Sequence, residues 1–127
     1  MIYGVGTDIV EIARLEKACS GNDHFLKRYY TEQEQEMIRH RGHRGAACAA
    51  VNFAGKEAVA KALKTGICAR VRLEEIEILR GEAGEPYVTL YGKTKAYAGE
   101  CGVERIHVSL SDTSSTAIAY AVAEGKD

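Results

Sequence analysis

Hydrophobic and polar positions alternate along the first ten residues. Tyr3, Val5, Thr7 and Ile9 fall on one side of Ile2 to Val10, and Ile2, Gly4, Gly6 and Asp8 on the other, which is the period of a β-strand. Two glycines weaken a strand and mark a place where a ligand or another backbone comes close. Ile12 to Ala18 predicts a short helix with Glu11, Arg14, Glu16 and Lys17 outward, ended by Ser20-Gly21-Asn22-Asp23. His24 to Tyr30 reads as another helical turn, with Lys27 and Arg28 outward. Thr31-Glu32-Gln33-Glu34 is a capping-box sequence and predicts a helix from Thr31 to about His40. Its acidic first turn and basic last turn suit the helix dipole, so Glu32, Glu34 and Glu36 read as solvated helix residues rather than metal ligands.

After a turn at Arg41 to Gly45, a long helix is predicted from about Ala46 to Lys64, with Gly66 available for a left-handed residue past its end. Glu75 to Arg80 and Tyr87 to Tyr91 read as two strands joined by the loop Gly81 to Pro86, and Gly92 to Gly102 as a helix. Arg105 to Ser111 alternates again, with Ile106, Val108 and Leu110 on one face and His107, Ser109 and Ser111 on the other. In the last strand, Thr116 to Ala123, the residues Ala117, Ala119, Ala121 and Ala123 make one flat face against which something packs closely. The order β, α, α, α, β, β, α, β, β predicts an α+β fold: a largely antiparallel sheet with helices packed on one face. A length of 127 residues predicts a single domain spanning 1–127.

Composition narrows the class. A hydrophobic share of 46% and a charged share of 28% are those of a soluble globular chain. A formal charge of -1 supplies no global field for nucleic acid, although Arg39, Arg41 and Arg44 with His40 and His43 form a local basic cluster. The start lacks the basic and apolar regions of a signal peptide, and no apolar run could span a bilayer, so a cytoplasmic location without a membrane partner is expected. Cys19, Cys48, Cys68 and Cys101 form no short metal-ligand pair, and in a reducing cytosol they read as small, mostly buried hydrophobes.

Three polar residues stand in apolar or glycine-rich settings: Asp8, Glu57 and His107. Glu57 and Lys61 are four apart and share one helix face. On a solvated face they form an ordinary ion pair. On a cleft they become a carboxylate and an ammonium able to grip a metal and a phosphate. Asp8 either ends its strand and caps the next helix or offers a hard oxygen ligand beside a groove. Mg²⁺ commonly takes one or two carboxylates and leaves the remaining positions to phosphates and water, so Asp8 and Glu57 suit it, with Lys61 countering phosphate charge. His107 alone reads as a satisfied structural histidine. A hydrolase triad lacks its G-x-S-x-G elbow, and the glycines give neither a Walker A loop nor a dinucleotide fingerprint.

Gly4-Val5-Gly6-Thr7-Asp8-Ile9-Val10-Glu11-Ile12, then Phe53-Ala54-Gly55-Lys56-Glu57-Ala58 with Lys61-Ala62, then His107-Val108-Ser109-Leu110-Ser111-Asp112 resemble the three motifs of the holo-acyl-carrier-protein synthases, the small bacterial 4'-phosphopantetheinyl transferases. Order, spacing and length match, as do the Tyr30-Thr31 helix start, the Thr65-Gly66 pair and the Gly84-to-Tyr87 turn. The resemblance implies the family fold and the transfer of 4'-phosphopantetheine from coenzyme A to a serine of apo acyl carrier protein, with release of 3',5'-ADP, in fatty acid biosynthesis. It implies Mg²⁺ held by Asp8 and Glu57, Lys61 on the phosphates, and Glu57 helping to deprotonate the serine. Lys64, Thr65, Gly66 and His107 are implied, with Lys61, at the coenzyme A site. It also implies a homotrimer with active sites between subunits. Acyl carrier proteins are acidic, which makes Arg14, Lys17, Lys27 and Arg28 docking candidates. Two positions depart from the family pattern: Asn52 where many members carry Arg, and Lys64 where many carry Gly. Both are expected near the nucleotide or phosphate end, with Lys64 replacing the charge missing at Asn52. The alternatives are a transferase serving a polyketide or peptide-synthesis carrier, a catalytically silent module that binds carrier protein or coenzyme A, and a Mg²⁺-dependent nucleotide phosphohydrolase.

Overall fold

The computed structural model describes residues 1–127. Its elements are β1 (Ile2–Glu11), α1 (Ile12–Cys19), α2 (His24–Tyr29), α3 (Glu32–His40), α4 (Gly45–Ala62), β2 (Ile76–Arg80), β3 (Pro86–Leu90), α5 (Gly92–Glu100), β4 (Val103–Asp112) and β5 (Thr116–Gly125). The strands are antiparallel, as the sequence predicts, and are divided between a three-stranded sheet, β1-β5-β4, and a β2–β3 hairpin. No helix is long and apolar enough to cross a membrane.

Everything is arranged about α4. One side of it lies on the three-stranded sheet. Ala117, Ala119, Ala121 and Ala123 of β5 are buried there, so the flat alanine face is filled by the chain's own helix rather than by another subunit. The neighbouring strand β1 presents Gly4 and Gly6 to the backbone of α4 at Ala62 and Ala58. The opposite side of α4 packs against α3 and β2. Burial therefore runs nearly all the way round it, and between Val51 and Ala62 the only residues with access to solvent are Phe53, Glu57 and Lys61. These are spaced i, i+4, i+8, a single stripe along the helix.

The capping box at Thr31 forms as predicted: the Thr31 side chain accepts from Glu34 N and the Glu34 carboxylate accepts from Thr31 N. Its third member corrects the sequence reading. Glu32 and Glu36 are exposed, but Glu34 has no solvent exposure. Its Oε1 also accepts from the fully buried Lys56 Nζ at 2.6 Å, and its Oε2 accepts from Asn52 Nδ2 at 2.9 Å and Ile78 N at 3.1 Å. Lys56 Nζ donates further to the carbonyls of Leu73 and Ile76 and lies over the Tyr30 ring. Burial pushes the Lys56 ammonium below the usual lysine range, and Glu34 pushes against that shift. A buried pair of this kind specifies geometry more than it adds stability, because desolvation offsets the attraction. No buried side-chain polar atom is left without a partner. Of the four unpaired cysteines only Cys48 is buried; Cys68 is exposed, and Cys19 and Cys101 are intermediate, so the expectation of mostly buried thiols fails.

Candidate active site

Asp8 lies on the inward face of β1, two residues beyond the point where Gly6 lets α4 come close. The side chain reaches the exposed stripe of α4. Lys61 Nζ is 3.1 Å from Asp8 Oδ1 and 2.9 Å from the carbonyl oxygen of Thr7. Lys61 is half exposed, whereas the Asp8 side chain is about one-fifth exposed. Glu57, one turn back on the same stripe, has its carboxyl pushed above the usual glutamate range, first by burial and then by the nearby Asp8 carboxylate; Lys61 and Arg14 pull it down. A carboxyl whose charge is disfavoured by burial and by a second carboxylate marks a place where added positive charge is welcome. Two carboxylates are too few to enclose a cation, and no cluster of three potential ligands exists here. The donor set fits Mg²⁺, which takes one or two carboxylates with substrate phosphates and water, and does not fit a closed structural metal site.

The other predicted residues fall in three places. Lys64, Thr65 and Gly66 close the C-terminal end of α4: Thr65 N and Gly66 N both donate to Ala60 O, and Gly66 is left-handed with φ 67° as expected. Lys64 is left-handed too, with φ 71°, and its ammonium lies 4.2 Å from the centroid of the Tyr3 ring. These residues sit about one turn beyond Lys61, just past the end of α4.

Asn52 does not belong there. It is fully buried near the middle of α4, its Oδ1 accepting from Arg80 Nη2 at 2.9 Å and its Nδ2 donating to Glu34 and Ile78 O. Ten residues of helix separate it from Ala62, about 15 Å at the ordinary helical rise, and Lys64 lies beyond that end. Within one chain Lys64 therefore cannot replace a charge at Asn52. The neighbouring guanidinium is that of Arg80.

His107 is also apart from Asp8. Residues directly opposite in an antiparallel sheet share a face. Asp8 pairs with Ala119, which pairs with Leu110, on the α4 side. His107 pairs with Val122, which pairs with Val5, on the outer side. There His107 Nε2 lies 2.9 Å from Glu124 Oε1. That outer face carries exposed apolar side chains from β1 and β5: Val5, Ile9, Ile118 and Tyr120.

Arg14, Lys17, Lys27 and Arg28 are all exposed on α1 and α2. Arg14 lies over the Phe53 ring and so reaches the same stripe as Glu57, whereas Lys27 is paired with Asp23 at 3.1 Å. The i, i+4 spacing of Glu57 and Lys61 was the signal in the sequence for this arrangement. A cavity of about 540 Å³ between α3 and the β2–β3 hairpin, lined by Glu32, Arg41, Arg80 and Tyr87 among others, includes none of Asp8, Glu57 and Lys61.

Residues 4–121 match the family model of the 4'-phosphopantetheinyl transferase superfamily. The chain is 47% identical to the holo-[acyl-carrier-protein] synthase of Lachnoclostridium phytofermentans over 124 residues, covering 98% of this chain and 97% of that one. Among solved structures, that of the holo-[acyl-carrier-protein] synthase of Neisseria meningitidis has a TM-score of 0.89 at 34% identity, covering 98% and 99% of the two chains. The Bacillus anthracis synthase, in complex with CoA (3',5'-ADP), has a TM-score of 0.83 at 32% identity and 99% coverage of each chain.

Proposed function

This chain belongs to the 4'-phosphopantetheinyl transferase superfamily, and from that premise we propose that it moves the 4'-phosphopantetheine arm of coenzyme A onto a serine of apo acyl carrier protein, releasing 3',5'-ADP. The observation that carries the reading is the stripe on α4. An otherwise buried helix leaves Glu57 and Lys61 accessible and brings them to Asp8.

In the reaction the serine Oγ forms a bond to the phosphorus of the phosphopantetheine group, and the bond from that phosphorus to the departing 3',5'-ADP oxygen breaks. Lys61 offsets charge on the phosphate oxygens, a preorganised cation where charge develops. Glu57, held above its ordinary pKa by burial and Asp8, takes the serine proton in this reading. Asp8 and Glu57 would hold Mg²⁺, which when bound supplies further neutralisation of the pyrophosphate. Lys64, Thr65 and Gly66 extend the phosphate end of the coenzyme A site. Lys64→Met should then raise the Michaelis constant for coenzyme A about twofold to fivefold, the effect of one exposed charge contact, with kcat little changed. An unchanged constant removes Lys64 from the site.

Copies of the chain meet, in this reading, on the outer face of the three-stranded sheet, as a homotrimer. The exposed Val5, Ile9, Ile118 and Tyr120 support that, being more apolar surface than a lone sheet face ordinarily shows to water. Because His107 points out of that face, it would serve a neighbouring copy's coenzyme A site rather than its own. Arg14, Lys17, Lys27 and Arg28 are the surface offered to an acidic carrier, the fatty-acid carrier being the proposed acceptor. Carrier binding should weaken several-fold between about 0.05 M and 0.5 M salt, since exposed charge attraction is screened over these concentrations; salt-independent binding would move the docking site elsewhere. Unpaired cysteines accord with a cytoplasmic location.

The deciding experiment is intact-mass analysis of apo acyl carrier protein incubated with this protein, coenzyme A and Mg²⁺, with and without chelator. A chelator-sensitive gain of one phosphopantetheine arm is expected. No gain from a folded sample overturns the transferase reading, and coenzyme A breakdown without carrier then separates a phosphohydrolase from a silent binding module.

A further inference from the structure

We propose that the buried Glu34–Lys56–Asn52 cluster is a rotational lock on α4 that sets the positions of Glu57 and Lys61, making Glu34 a positioning residue for the transfer reaction. The inference rests on the transferase reading above and assigns a role to a residue of α3 that touches no substrate.

The geometry is that of a helix held from two sides. On the sheet side, Gly4 and Gly6 let β1 meet the α4 backbone closely at Ala62 and Ala58, which fixes the depth of the helix. The buried, directional restraint on its rotation comes from the side facing α3 and β2. There Glu34 accepts four hydrogen bonds, from Thr31 N, Lys56 Nζ, Asn52 Nδ2 and Ile78 N. Two of the four donors, Asn52 and Lys56, are one turn apart on α4. The other two belong to α3's own cap and to β2. Lys56 in turn donates to the carbonyls of Leu73 and Ile76. Every bond in the set is directional, and all but the Thr31 cap bond join α4 or β2 to α3, or α4 to Leu73 and the start of β2.

Glu57 follows Lys56 directly, and Lys61 lies little more than one turn further, so both turn rigidly with it. The charged end of such a side chain lies about 5–6 Å from the helix axis. A rotation of about 10° therefore displaces it by about 1 Å, and a misplacement of that size can lower a rate by about 10²-fold. A cluster that merely held the chain together would affect melting and leave the folded molecules equally active.

The test separates these. Glu34→Gln keeps the shape but replaces one acceptor by a donor facing other donors, and leaves the Lys56 charge unpaired. Glu34→Gln with Lys56→Met removes that charge and restores melting toward the parent protein. Asn52→Ser keeps the ion pair and loosens the lock more mildly. For each, kcat and the Michaelis constants are measured below the melting range, and Mn²⁺ binding in the presence of coenzyme A is followed by electron paramagnetic resonance. The double variant is expected to recover stability but to keep kcat at least about tenfold lower and Mn²⁺ affinity weakened by a similar factor, with the carrier Michaelis constant unchanged. Asn52→Ser is expected to move both in the same direction by a smaller factor. Parent-like kcat and Mn²⁺ affinity in the double variant, or in Asn52→Ser if the double variant does not fold, overturn the lock. A parent protein that transfers nothing overturns instead the reading on which it rests.

Discussion

Asp8→Ala and Glu57→Ala are each expected to lower phosphopantetheine transfer by about 10³-fold or more while leaving the fold intact, and Glu57→Gln to do so while raising the melting temperature of the metal-free protein. The rate effect follows because each variant removes one of the two carboxylates able to hold Mg²⁺, and the Glu57 variants also remove the proton acceptor. Losses of a single charge-stabilising group alone amount to about 10²–10³-fold. The stability effect follows from the raised carboxyl of Glu57. A carboxyl whose folded pKa exceeds its unfolded one holds its proton more tightly in the native state. Its ionised form is then a penalty on folding above the folded pKa, and that penalty vanishes as pH falls below the unfolded value. Glutamine carries no charge at any pH. The melting advantage of Glu57→Gln should accordingly be largest near neutral pH and shrink as pH is lowered through the folded pKa of Glu57. Calorimetry with chelator present, from neutral to mildly acidic pH, reads it. Equal melting at neutral pH would mean that Glu57 is relaxed in solvent, and near-parent turnover in either alanine variant would take that residue out of the mechanism.

The chemistry of this site was legible because it is local. Glu57 and Lys61 are related by helix period, and the glycines beside Asp8 announced a close approach that the structure shows to be α4. What lay outside the sequence's reach depends on which elements meet. Glu34 already had a complete local explanation as the third position of a capping box, so nothing in α3 pointed to a second set of donors from α4 and β2. Asn52 looked like a gap in a phosphate site because many family members carry Arg there, and its neighbour in space, Arg80, is too far off in sequence to have been paired with it. His107 shares a strand with residues of both sheet faces, and strand alternation tells which neighbours share its face without telling which face α4 covers. Only the burial of the alanine row of β5 decides that, and with it that His107 points away from Asp8.

The same approach of β1 to α4 makes Gly6→Ala the substitution with the largest expected structural effect. A methyl group at Gly6 would overlap the carbonyl oxygen of Ala58 and lie 2.8 Å from Lys61 Cβ and from Ala62 N. Two of these three obstacles are helix backbone, which cannot turn aside as the tip of a long side chain can. Either α4 moves off the sheet or β1 bends away from β5, and both open the small-residue interface formed with the β5 alanines. Overpacking of this kind costs about 1–3 kcal/mol, occasionally more, against a total stability of about 5–15 kcal/mol. A melting temperature about 5–15 °C lower is expected. Activity should fall further than melting alone explains, because the displaced backbone carries Lys61 itself and lies beside Glu57; about 10²-fold is the scale for a misplacement near 1 Å. Gly99→Ala is the control. A methyl group there meets nothing within 4 Å, and Gly99 lies in the exposed α5, so the change should stabilise by about 0.5–1 kcal/mol and leave transfer untouched. If Gly6→Ala instead melted and turned over like the parent, the seating of α4 on β1 would not be what brings Asp8 to Lys61.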